Sequence, residues 1–111
     1  MRQPSPPGNK PGPPHQGVLM TAIRKLAASG AITYTLHAEQ RLAQRGIDRQ
    51  DVTDVIRIGD ISGPITPGSN RGEWQCLVAG PPPWSHRDVG VALAVEPTRR
   101  VIIKTVEWID P

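Results

Sequence analysis

His37, Arg41 and Arg45, spaced four residues apart, are the densest set of side chains able to do chemistry in this chain. On a helix turning about 100° per residue they fall within about 80° of one another and form one basic ridge. Like charges at that spacing repel by a few tenths of a kcal/mol, so an anion near Arg41 and Arg45 would offset a local cost. His37 falls in the first turn behind Thr35, where the helix dipole disfavours imidazolium and favours a ring that can accept a proton. A neutral base beside two guanidinium groups suits phosphodiester cleavage. The base activates a ribose 2′-hydroxyl, and the arginines hold the phosphate as charge builds. Neither a metal nor a cofactor is needed for that chemistry. The plainer reading is a solvated helix face whose arginines pair with Glu39 or Asp48.

Other residues could serve the same site. Trp84, His86 and Arg87 follow Gly80 and three prolines, and they could bind an RNA substrate by stacking, a second imidazole and a cation. The plainer reading there is an ordinary loop. Lys104 interrupts an apolar strand between Ile102 and Val106, so it either snorkels to solvent or joins the catalytic set as an auxiliary cation. Cys76, between Gln75 and Leu77, reads as a buried small apolar residue. His15, His37 and His86 show no metal-ligand spacing, and a single cysteine excludes an internal disulfide and a cysteine-based zinc cage.

The elements that must position these residues can be read from periodicity. Leu19, Ile23 and Leu26 predict a helix from Val18 to Ala28, stopped by Ser29-Gly30. Ile32-Thr33-Tyr34 reads as a link. Thr35 caps a helix from Leu36 to Arg45, with Gly46 just past its end and Leu36, Leu42 and Ala43 expected toward the sheet. Asp48 caps a third helix on the stripe Val52, Val55 and Ile56, with Asp51 in its first turn and Gly59 closing it. The Gly- and Pro-rich stretch 59–72 reads as a looped crossing. Strands follow at Trp74 to Ala79, Asp88 to Glu96 and Val101 to Ile109. In the middle one Val89, Val91, Leu93 and Val95 give a bulky face, and Gly90, Ala92 and Ala94 a small-residue face. The expectation is an α+β fold with two or three N-terminal helices on an antiparallel sheet of three to four strands.

Length and composition set the outer limits. A chain of 111 residues holds about one domain. Six of its 13 prolines fall in the first fourteen residues, so residues 1–17 read as a disordered tail and 18–111 as the single domain. On that reading a chain starting at Met20, a candidate native start, should keep fold and activity. The formal charge is +3, but Arg2 and Lys10 lie in the tail, and the rest is too nearly neutral to argue for nucleic acid by charge alone. No apolar run approaches the ~20 residues of a membrane span, so no membrane partner and a cytoplasmic location are expected.

From His37-Ala38-x-x-Arg41 through Arg45-Gly46-Ile47, then Asp51-Val52 and Gly59-Asp60, the sequence resembles a bacterial domain family of unknown function. The resemblance runs from about Tyr34 to Trp108. That family looks like part of the toxin superfamily that includes RelE, ParE and MqsR, many of whose members are metal-independent ribonucleases encoded with an antitoxin. The resemblance implies a RelE/ParE-like sheet, an mRNA interferase activity on RNA, and a cognate small antitoxin as partner. It makes His37, Arg41 and Arg45 candidate active-site residues, with the strand around Lys104 in support. A non-catalytic interaction module and a gyrase-directed toxin are the alternatives, since relatives of one fold differ in function.

Overall fold

The computed structural model describes residues 12–109. Its elements are α1 (Gln16–Ala28), β1 (Ile32–Tyr34), α2 (Leu36–Arg45), α3 (Arg49–Ile58), β2 (Asp60–Pro67), β3 (Trp74–Gly80), β4 (Val89–Glu96) and β5 (Arg100–Trp108). The architecture is α+β, as expected, but the sheet has five strands in the order β1-β5-β4-β3-β2 and is mixed. β1 runs parallel to β5, with Ile32 opposite Val101 and Tyr34 opposite Ile103. The three- to four-stranded antiparallel sheet is thus corrected at both edges.

Both missed strands have a physical reason. β1 has only three residues, too few for alternation to show, and pairing to β5 supplies what its length cannot. β2 contains Gly63, Pro64 and Pro67, which read as breakers. An edge strand tolerates them: the pairing with β3 shifts register between Ser62 and Thr66, and Gly63 takes φ +84° there.

α1 and α3 cover one face of the sheet. Leu19, Ile23, Val52, Val55 and Ile56 are buried against Val78, Val91, Leu93, Val101 and Ile103, so the bulky face of β4 takes the helices. Among the described residues, no helix covers the small-residue face, with Gln75, Leu77, Ala92 and Ala94. Arg24 of α1 ties the layer together by donating to the carbonyls of Ile56 and Gly59 at 3.3 and 2.7 Å, two groups at the end of α3 that the helix cannot satisfy itself.

α1 begins at Gln16 with His15 as its cap; His15 Nδ1 accepts from the Gly17 amide at 3.1 Å. The helix therefore starts two residues ahead of Val18, and the expected tail overlaps it at positions 16 and 17. Residues 1–11, the greater part of that tail, lie outside the described residues. Leu19 is 1% exposed, so a chain beginning at Met20 loses a core side chain as well as the cap.

Candidate functional site

Where β1 ends, α2 takes over the edge of β5. The Thr35 amide donates to the Ile103 carbonyl at 3.0 Å and its hydroxyl to the Lys104 carbonyl at 3.2 Å, while the same oxygen accepts from Ala38 as the helix cap. Ala38 and Leu42 face inward, whereas Leu36 is 75% exposed and Ala43 also faces solvent. The inward stripe is thus rotated from the expected Leu36, Leu42 and Ala43. That rotation brings Arg41 and Arg45 to the seam with β5.

The acid that meets them is Glu107. Its carboxylate lies 2.9 Å from Arg45 Nε and 3.7 Å from Arg41 Nε. Arg41 also donates to His37 Nε2 at 3.4 Å and to Gln44 at 3.0 Å. His37, Arg41, Glu107 and Arg45 form one polar chain, with Arg41, Arg45 and Glu107 between about a third and a half exposed. Neither Glu39 nor Asp48 supplies the counter-charge. Glu39 pairs with Arg49, whose guanidinium also stacks over Tyr34 at 4.6 Å, and Asp48 is occupied in a reciprocal cap with Asp51. Glu107 escaped the sequence reading because it lies 62 residues from Arg45.

Trp84 and Arg87 gather around Trp108, another residue the sequence reading passed over. Trp84 meets Trp108 edge to face at 5.5 Å, and Arg87 lies 5.4 Å over the Trp108 ring. The Trp84 indole donates to Asp51 at 2.8 Å, which fixes a ring otherwise 60% exposed. Trp108 donates in turn to the Arg45 carbonyl at 2.9 Å. Arg45 is therefore the junction: its guanidinium meets Glu107, and its backbone holds Trp108. Along β5 these neighbours point to opposite faces, Trp108 opposite Val89 and Glu107 opposite Gly90. His86 is exposed nearby in sequence.

Lys104 meets the start of α2 through its backbone, where its carbonyl accepts from Thr35, while its side chain makes no hydrogen bond or ion pair with the ridge among the described residues. The β4–β5 register shifts between Ala92 and Leu93, which pair with Thr105 and Ile103, so Lys104 is the extra residue of a β-bulge. The bulge also accounts for the inward residues Val101, Ile103 and Val106, whose spacing jumps from two to three. That irregularity is visible in the sequence and could have located the bulge. Lys104 borders a groove on the helix-free face together with Gln75, Leu77 and Ala92. Cys76 is buried in β3, and burial pushes its thiol up to about 11, which suits packing rather than nucleophilic work. No group of three or more metal-ligating side chains occurs among the described residues.

The motif around His37, Arg41 and Arg45-Gly46-Ile47 sits inside residues 34–108, which match the model of a domain of unknown function, DUF4258. The chain belongs to the DUF4258 family. The matched DUF4258 segment begins at β1's last residue and ends with β5, so it contains α2, α3, four strands and the whole His37–Glu107 cluster; α1 precedes it. No curated protein and no solved structure matches the chain. No helix among the described residues of this DUF4258 protein is long and apolar enough to cross a membrane.

Proposed function

We propose that this DUF4258 protein is a metal-independent endoribonuclease of the toxin type, with a RelE/ParE-like fold, a cytoplasmic site of action and a small antitoxin as partner. One observation carries the reading. Arg41 Nε faces both His37 Nε2, at 3.4 Å, and a Glu107 oxygen, at 3.7 Å, so a proton acceptor, a carboxylate and a cation converge at a part-exposed point beside Arg45. In the proposed reaction His37 takes the proton of a ribose 2′-hydroxyl. The 2′-oxygen then attacks the adjacent phosphorus, the bond to the 5′-oxygen breaks, and that oxygen takes up a proton from solvent. Arg41 and Arg45 turn from Glu107 to the phosphoryl oxygens as charge builds there.

Glu107 itself favours a second reading. It already supplies the negative charge that the arginine pair lacks, so the ridge could be a fastening between α2 and β5 on a non-catalytic interaction module. Incubating RNA with the purified chain in EDTA separates the two. Cleavage is expected, with His37→Ala slower by about 10²-fold or more, the usual scale for a general acid or base. No cleavage, or equal cleavage by the variant, would leave the fastening as the better account.

A further inference from the structure

On the face of the sheet that carries no helix among the described residues, a groove of about 500 Å³ runs between β2 and β5. Leu77 and Ala92 form its floor, and Ser62, Thr66, Gln75 and Lys104 bring polar groups to it. Lys104 is the informative member. Arg24 and Arg41, the other part-buried basic side chains among the described residues, each have a carboxylate close by, Asp60 at 3.5 Å and Glu107 at 3.7 Å. Lys104 is part-buried too, yet it makes no ion pair among the described residues. A bulge, itself a disruption of the ladder, brings this unpaired cation to the border of the groove. Groove and unpaired cation together call for an anionic ligand.

The position of the groove points to which one. Lys104 and Glu107 lie on the same strand and the same face, three residues apart, or about 10 Å at ~3.3 Å per residue. Stacked nucleotides advance about 3.4 Å each along a strand, so a chain held at Arg41 and Arg45 reaches the groove within a few nucleotides. The small side chains of the floor let a backbone approach closely, and the hydroxyls and amide of Ser62, Thr66 and Gln75 match the mixed donors and acceptors of a nucleotide.

We propose that this groove is a second contact site for single-stranded RNA, in which Lys104 takes a phosphodiester a few nucleotides from the one held by Arg41 and Arg45. The inference rests on the RNA-directed reading of the ridge but not on catalysis. It is tested with the full chain and a fluorescent 2′-O-methyl RNA decamer, which cannot be cleaved through its 2′-oxygen. Lys104→Ala should weaken binding about tenfold and lower the slope of log affinity against log salt by about 0.7, the share of one phosphate on a single strand. Lys104→Arg should retain most of the affinity. Ala92→Leu, which fills the floor without changing charge, should also weaken binding while leaving the melting temperature near that of the parent chain.

Binding by Lys104→Ala and Ala92→Leu as tight as by the parent would overturn the groove as an RNA site. So would displacement of the decamer by polyglutamate as readily as by polyuridylate, which would assign the groove to an acidic protein. The ribonuclease reading fails separately. Tight, Lys104-dependent binding with no cleavage of ordinary RNA supports the groove and removes the catalysis; cleavage with Lys104-independent binding does the reverse.

Discussion

At the scale of single residues, Glu107 decides what the arginine ridge can do. It holds Arg45 at 2.9 Å and Arg41 at 3.7 Å, and all three side chains retain solvent contact, so the pairing is screened and worth at most about 1 kcal/mol. A phosphate arriving at the ridge must displace that carboxylate. Glu107→Gln should therefore cost little in melting temperature and raise RNA affinity, with the largest gain at low salt, where an unshielded cation counts most. Anisotropy titrations at two salt concentrations read this directly. Lower or unchanged affinity in the variant would mean that the arginines do not meet RNA.

At the scale of elements, two glycines that end successive helices do so for different reasons. Gly46 closes α2 at φ +66°, a left-handed conformation, and a Cβ there would meet nothing within 4 Å. Gly59 closes α3 at φ −81°, an ordinary value, but a Cβ would come within 2.5 Å of the Ala79 carbonyl oxygen and 2.6 Å of the Val55 oxygen. Gly46→Ala should cost about 1 kcal/mol by conformation alone, and Gly46→Asn less, because asparagine tolerates that region. Gly59→Ala should cost more, and Gly59→Asn should not recover it, since α3 and β3 must separate to admit any side chain. Urea denaturation of the four variants gives the comparison, and recovery by asparagine at position 59 would contradict the steric account.

At the scale of the whole molecule, α1 lies outside the DUF4258 match yet belongs to the core. Leu19, Met20 and Ile23 are buried with α3 and the sheet, and Arg24 closes the end of α3. Shortening the chain to begin at Met20 removes the His15 cap and buried Leu19, a loss on the order of 2 kcal/mol. The melting temperature should fall by about 10 °C. Equal melting of the Met20 chain would show that α1 adds nothing to the core through its first turn.

What could be read from the sequence is what short-range chemistry determines. Thr35 and Asp48 cap their helices, Gly46 takes the left-handed position, and the alternation from Val89 to Val95 separates a bulky from a small-residue side, without deciding which of the two takes the helices, because each of these depends on residues within one or two turns. His37, Arg41 and Arg45 were visible as one ridge for the same reason. What only the tertiary structure decided involves partners far apart in the chain. β1 is a strand because β5 pairs with it, and β2 tolerates its glycine and prolines because it lies at an edge. Trp84 is oriented by Asp51, 33 residues away. Glu107, from the last strand, meets the ridge only because α2 packs along the edge of β5. Local propensity and periodicity carry no information about such pairings, whose cost is the closure of a long loop and whose reward appears only when the sheet forms.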